Sequence, residues 1–342
     1  MKVFFDGNVF TRQKPGGISR LSFELIKSLD RFKDVQRFYY RKPGFLLGRI
    51  GSFLDIVFMN IWYGMYANKK TIFHSLYYRI PKYPKGPVVI NAYDMIHELF
   101  GSNQKIIAFK KHALLKSDVI ISSSEHTKKD ICRLYPTITP QKIVVAYPGV
   151  NEIFFKIKTT FQNNSRPYML YVGPRSYKYK NFNLLLDTFI HRQYFLNFDL
   201  VLVGGEKDLT DAQKNKIQNT KNGVAWIRQE FCDDERLAKL YSNATVFIYP
   251  SLYEGFGIPP LEAMASGCPV VASSASAVPE SVGDSGLLFD PNNADDLAQK
   301  IEMILADKVF VTKLIEKGRA RAKQFTWNKM ADVIYRTYIK LI

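Results

Sequence analysis

The stretch Pro250-Ser-Leu-Tyr-Glu254-Gly-Phe-Gly-Ile-Pro-Pro-Leu-Glu262-Ala-Met-Ala-Ser-Gly-Cys-Pro-Val270 follows one apolar run, Thr245–Tyr249, and leads into another, Val270–Ala272. Both runs are short, uncharged and rich in β-branched or aromatic residues, as strands buried on both faces are. Between them Pro259–Ala265 reads as a helix whose prolines fall at its start, where a missing N–H costs nothing. The order is therefore strand, glycine turn, helix, strand. Gly255 and Gly257 let the turn backbone approach a ligand without Cβ interference. Their amides, beside a helix N-terminus, suit a phosphate or hydroxyl group. Glu254 lies on the turn and Glu262 two helical turns further, so both can face one cleft and chelate sugar or ribose hydroxyls. The bare spacing is equally compatible with an exposed turn residue and a helix-surface charge.

The same alternation extends outward in both directions. Tyr168–Val172 and Asp199–Val203 read as strands, and Asn181–His191, Asp233–Asn243, Ala294–Asp307 and Asp307–Phe325 as helices. In the first half, Lys2–Phe5, Thr71–Phe73, Val88–Asn91, Val119–Ser122 and Ile143–Ala146 read as strands. Ile18–Leu29, Lys105–Lys116 and His126–Tyr135 read as helices between them. Pro148-Gly-Val150 followed by polar Lys156–Arg166 reads as a connection. The expected organisation is two Rossmann-like domains, residues 1–160 and 161–325, and a terminal helix, 326–342. Two doubly wound α/β halves with parallel sheets would face each other across a ligand cleft.

Composition narrows the class. At 342 residues with 46% hydrophobic content, the chain suits two domains with ample core. Cys132, Cys232 and Cys268 lack metal-ligand spacing and predict no disulfide framework, which fits a reducing cytoplasm. No signal peptide is expected from the Met1-Lys-Val-Phe-Phe-Asp6 start. Phe45–Ala67 is apolar but interrupted by Arg49, Asp55 and Asn60, so a buried or interfacial helix is expected there rather than a span. The net charge of +17 is lopsided: residues 1–160 hold 26 Lys/Arg against 11 Asp/Glu, and the rest 22 against 20. The first half is thus expected to meet something anionic, nucleic acid or lipid phosphate. No zinc-finger or aromatic RNP element supports nucleic acid, and no Gly-x-Gly-x-x-Gly turn supports a dehydrogenase.

Three further clusters bear chemistry. Tyr171-Val-Gly173-Pro-Arg175-Ser-Tyr-Lys-Tyr-Lys180-Asn181 places two cations on a strand-to-helix loop, where they can neutralise a diphosphate or simply be solvated. Lys14-Pro-Gly16-Gly17-Ile-Ser-Arg20 lies between the first strand and first helix. Asn91-Ala-Tyr93-Asp94-Met-Ile-His97-Glu98 follows a buried strand; His97 is a structural histidine or a proton relay. Ser122–Ser124 reads as a strand end and helix cap.

Read whole, Glu254-Gly-Phe-Gly-Ile-Pro-Pro-Leu-Glu262-Ala-Met-Ala-Ser-Gly-Cys-Pro-Val-Val-Ala-Ser resembles the Glu-x7-Glu signature of glycosyltransferase family 4, retaining enzymes of the GT-B fold. The resemblance is strong over Tyr168–Pro291 and weaker before it. It points towards the bacterial mannosyl- and hexosyltransferases of surface polysaccharide synthesis, whether lipopolysaccharide, O-antigen or capsule. It implies a donor site of Gly16, Gly17, Arg175, Lys180, Glu254, Gly255, Phe256, Gly257, Ile258 and Glu262. Asp94, Glu254, Arg175 and Lys180 are the implied catalytic set, with His97 on the acceptor side.

The implied route is front-face: the donor's own phosphate oxygen takes the acceptor's proton, and no metal or other cofactor is expected. The implied partners are a nucleotide-sugar donor, GDP-mannose before a UDP-sugar, a lipid-linked glycan acceptor and an anionic membrane surface, with no nucleic acid. The implied place is the cytoplasm, on the inner face of its membrane. Two departures stand out. Tyr93 precedes Asp94 where relatives commonly carry histidine, and Arg228, within Val224–Gln229, replaces a glycine near the nucleotide base. They keep open an impaired subunit that binds the donor without turnover.

Overall fold

The computed structural model describes residues 1–7, 9–12, 17–40, 52–101, 103–157, 166–220 and 226–342. The chain divides into two units, Met1–Gly149 with Trp327–Ile342, and Val150–Thr326. Each is built on its own six-stranded parallel sheet.

The first unit runs β1 (Lys2–Asp6), α1 (Val9–Arg12), α2 (Gly17–Leu29), β2 (Gln36–Tyr40), α3 (Ser52–Tyr66), β3 (Thr71–Ser75) and β4 (Val88–Ala92). It continues through α4 (Ile96–Phe100), α5 (Gln104–Lys116), β5 (Val119–Ser122), α6 (Glu125–Leu134) and β6 (Ile143–Val145). The sheet order is β2-β1-β3-β4-β5-β6. Chain order reverses between β1 and β3, so the loops after those strands flank a topological switch point, where open α/β sheets bind ligands. Every residue of β3 and β4 is buried, because helices cover both faces. Ser124 caps α6, accepting a hydrogen bond from the Thr127 amide at 2.9 Å.

The second unit opens with α7 (Ile153–Lys156), β7 (Tyr168–Val172), α8 (Phe182–His191), β8 (Asp199–Val203), α9 (Asp211–Gln218), β9 (Ile227–Glu230) and α10 (Asp234–Asn243). It closes with β10 (Val246–Tyr249), α11 (Ile258–Ala265), β11 (Val270–Ser273), α12 (Val278–Val282), β12 (Leu287–Phe289), α13 (Ala294–Ala306) and α14 (Lys308–Ala322). Its order, β12-β11-β10-β7-β8-β9, reverses between β7 and β10. The core joins Met169, Leu200 and Ile248 of the strands to Leu185 and Phe189 of α8, with Trp226 stacked on Phe189 at 5.1 Å.

The final helix, α15 (Trp327–Ile339), belongs to the first unit. Tyr335 stacks on Phe32 with ring centroids 3.9 Å apart and donates to the Asp34 carboxylate at 2.8 Å. Asp332 pairs with Arg31. Further along α15, the Tyr338 hydroxyl reaches His74 Nδ1 on β3, and His74 Nε2 lies 3.0 Å from Asn91 Oδ1 on β4. The terminal helix is thereby tied to the strand whose end carries Asp94.

Candidate functional site

Parallel neighbours bring their C-terminal loops together, and β7 lies beside β10. The loop after β7 carries Arg175 and Lys180; the loop after β10 carries Glu254. A backbone hydrogen bond of 2.7 Å, from Leu252 N–H to the Tyr179 carbonyl, pins one loop to the other. Across that contact Lys180 Nζ donates to Glu254 Oε1 at 2.6 Å, with both side chains largely buried. The ammonium also lies 5.4 Å from the Tyr179 ring and 5.7 Å from the Tyr249 ring, a cation–π setting. Glu254 N–H donates to Ser276 Oγ at 2.8 Å, which fixes the glutamate's backbone. Tyr249 is fully buried; burial, and then the adjacent Glu254 carboxylate, hold its phenol well above the usual range.

Arg175 occupies a different environment on the same loop. Its guanidinium donates to the Gly204 carbonyl at 2.7 Å, to Gln229 Oε1 at 3.0 Å and to the Glu206 carbonyl. Its Nε is buried and makes no hydrogen bond among the described residues. Burial lowers its pKa from the ordinary value, opposed by Glu206. Glu206 in turn accepts from the Arg175 amide at 2.6 Å and from the Ser176 amide at 3.2 Å and hydroxyl. Burial raises its carboxyl pKa, but the Ser176 hydroxyl and these amides more than offset that and hold it below the usual range. The β7 and β8 loops pack so closely that Gly205, at φ +75°, has no room for a Cβ: the Gly173 carbonyl would lie 2.6 Å away.

The glycine turn behaves as its sequence requires. Gly257 has φ +106°, a left-handed conformation at the start of α11, and a Cβ there would meet Ser281 Oγ at 2.8 Å. Phe256 is buried with its ring 5.3 Å from Phe325, anchoring the turn. Pro259 and Pro260 carry no N–H, which leaves Gly257 and Ile258 as the amides nearest the helix entrance. Glu262 is the fifth residue of α11, just past its first turn rather than two turns in, and is almost completely buried. Arg228 sits on β9, paired with Asp199 at 3.2 Å and lying over the Tyr168 ring.

In the first unit Gly17 opens α2 at the switch point; Gly16 lies outside the described residues, as do Val224 and Ala225. Asp94 follows β4, half-buried, and accepts from the Ile96 amide at 3.0 Å. Tyr93 turns its hydroxyl into the protein interior. It is buried, 3.0 Å from Ser22 Oγ and accepting from Asn91 Nδ2 at 2.9 Å, and burial raises its pKa. His97 is half-buried on α4.

Sequence reasoning missed Lys110. Its side chain is completely buried on α5, donating to the Asp94 carbonyl and to Glu98 at 2.8 Å, with its ammonium 3.9 Å from the Asp94 carboxylate. Glu206, Gln229 and Ser276 were also missed. Glycine, capping and turn signals are local, whereas these residues reach the site only through strand order.

Two Rossmann-like six-stranded parallel sheets, each with its own topological switch point, define the GT-B fold. Residues 152–321 match the family model of glycosyl transferases group 1, and the chain belongs to that family. It is 32% identical over 237 residues to the O-antigen chain mannosyltransferase B of Escherichia coli, a match spanning 66% of this chain and 61% of that relative. It is 28% identical over 269 residues to the alpha-maltose-1-phosphate synthase of Mycolicibacterium smegmatis, spanning 71% and 68%. Among solved structures, sucrose-phosphate synthase from Thermosynechococcus elongatus matches over 100% of this chain and 99% of its own, with TM-score 0.80 and 20% identity. Anabaena HepE in complex with UDP-glucose matches over 100% of both chains, with TM-score 0.79 and 16% identity. At those identities the structures support the fold alone.

Proposed function

We propose that the chain is a retaining, metal-independent hexosyltransferase acting at the inner face of the cytoplasmic membrane. It moves mannose from GDP-mannose, with UDP-sugars next in preference, onto a growing lipid-linked surface glycan. The observation that carries the reading is the Lys180–Glu254 pair at 2.6 Å, held at the β7/β10 switch point beside the glycine turn. An ammonium has three donors, so Lys180 can keep Glu254 and still meet a diphosphate oxygen. The mannosyltransferase name of the Escherichia coli relative and the UDP-glucose of the Anabaena structure support a nucleotide-sugar donor and leave GDP and UDP to be separated.

In this reading Lys180, Arg175 and the amides around Gly255–Ile258 stabilise charge growing on the departing diphosphate. Gly16 and Gly17 are assigned to the same diphosphate. Glu254 orients sugar hydroxyls and Glu262 the ribose. The acceptor hydroxyl gives its proton to the leaving phosphate oxygen as the new bond forms on the same face, with Asp94 holding the acceptor. Thermal shift with bare GDP, UDP, ADP and dTDP tests donor recognition; no stabilisation by any of them overturns it. Turnover abolished by EDTA and restored by manganese or magnesium would refute metal independence.

The buried Tyr93 hydroxyl favours a second reading, a donor-binding subunit without transfer. Donor hydrolysis equal in wild type and Glu254→Ala would support it.

A further inference from the structure

The outer face of α3 does not resemble an ordinary protein surface. Met59 and Tyr63 on its inner side pack into a buried cluster with Phe4 and Phe73. The opposite side exposes Phe58 (47%), Ile61 (54%), Trp62 (42%) and Met65 (69%). Their i, i+3, i+4, i+7 spacing makes a single stripe along one helix face. A helix apolar on both sides, with one side open to solvent, marks an interaction surface rather than a core element.

The surroundings indicate what covers it. Lys82 N–H donates to Asn60 Oδ1 at 2.8 Å, and Lys85 Nζ donates to the Gly64 carbonyl at 2.7 Å, so the segment after β3 lies against α3. That segment exposes Tyr83 (74%) beside Lys82, and Lys69 and Lys70 are exposed just past the helix end. From residue 56 to 93 there are five Lys/Arg and no Asp/Glu. A protein-facing hydrophobic patch has no need of an acid-free border. An anionic bilayer does: Trp and Tyr settle at the headgroup level, aliphatic side chains enter the acyl boundary, and lysines meet lipid phosphates. No helix among the described residues is long and apolar enough to cross a membrane, so this surface would lie on the bilayer.

We infer that α3, with the Lys69–Lys70 and Lys82–Lys85 segments, is the face by which the protein docks onto anionic lipid. The inference rests on the membrane part of the reading above, while its test requires no sugar transfer. Trp62 reports directly, since Trp226 is buried and Trp327 half-buried. Vesicles of phosphatidylcholine with phosphatidylglycerol should shift Trp62 emission to the blue and co-sediment the full chain; phosphatidylcholine alone should not. Ile61→Asp/Met65→Asp, at exposed positions and checked by an unchanged melting temperature, should abolish binding. Lys69→Gln and Lys82→Gln should each weaken it about fivefold.

Unchanged emission with anionic vesicles, or binding indifferent to the double aspartate variant, overturns the inference. So does a concentration-dependent dimer abolished by that variant, which would assign the stripe to a second copy. Nucleotide binding measured on the same variants separates the two ideas: if GDP or UDP still stabilises a protein that ignores vesicles, only the docking face falls.

Discussion

Removing Lys180 should cost stability as well as binding, and the size of the loss follows from the pair's surroundings. Breaking a buried ion pair by deleting one partner costs about 3–5 kcal/mol, because the remaining charge is left desolvated. Here the side chains retain 14% and 11% exposure, and some solvent reaches both. About 2–3 kcal/mol is the fitting figure for Lys180→Met, which strands the Glu254 carboxylate between Tyr249 and the glycine turn. For a unit of this size that lowers the melting temperature by roughly 5–10 °C. Glu254→Gln should cost less, about 1–2 kcal/mol, because a lysine left without its anion can move its flexible stem towards water. In Lys180→Met/Glu254→Gln neither charge remains, so the double variant should lose no more than about 2 kcal/mol. The coupling energy from the cycle is therefore at least about 1 kcal/mol. Chemical denaturation of the four proteins, followed by tryptophan emission, supplies the numbers. Losses that add within about 0.5 kcal/mol would mean that the two side chains act independently, and the reasoning from the pair would fail.

Gly205→Ala forces a left-handed backbone on alanine and drives its Cβ against the Gly173 carbonyl and Pro174 Cα, atoms that cannot swing aside. A loss of about 2–4 kcal/mol is expected in denaturation, with donor binding weakened through the displaced Arg175 loop. Arg175→Lys retains the charge but not the planar fork shared among Gly204, Glu206 and Gln229. The stabilisation that GDP or UDP gives in thermal shift should fall at least about tenfold in apparent affinity. Burial lowers the His74 pKa to about 4, with the Asn91 hydrogen bond opposing. The unfolded chain binds that proton near pH 6.5, so the histidine's contribution is complete above 6.5 and is lost as pH falls towards 4. Between pH 7.5 and 5 wild type should lose about 2 kcal/mol more than His74→Gln, measured by urea unfolding; parallel pH profiles would contradict this.

What the sequence revealed of the fold depended on where each strand lies in its sheet. β4 and β8 are interior strands, covered on both faces, and their runs Val88-Val-Ile90 and Leu200-Val-Leu-Val203 are unbroken apolar signals. Two of the four edge strands carry no such signal, whereas the edge strand β6, Ile-Val-Val, does. β2 is Gln-Arg-Phe-Tyr-Tyr and β9 is Ile-Arg-Gln-Glu, both interrupted by charged and amide side chains. Sequence reading assigned no strand to the first and took the second for a nucleotide-base region. β12, only three residues long, was not read as a strand.

The site divides in the same way, for a related reason. Lys180, Glu254 and the glycine turn were legible because each lies on a strand-to-helix loop whose conformation is dictated within a dozen residues. Gly257 at φ +106° is glycine for a cause visible in the string itself. Glu206 and Gln229 reach Arg175 from 31 and 54 residues away, and Lys110 reaches Glu98 from the next helix, where its spacing reads as an ordinary solvated charge. A diphosphate is recognised by loop backbone and a few cations, so its site stays local in sequence. The neighbourhood of Asp94 is different. Lys110 reaches it from α5 and pairs with Glu98 of α4, while Asn91, three residues earlier on β4, is tied through His74 of β3 to Tyr338 of the chain's last helix. The donor half is therefore legible as a motif, and the half proposed to hold the acceptor emerges only once the strands are in order.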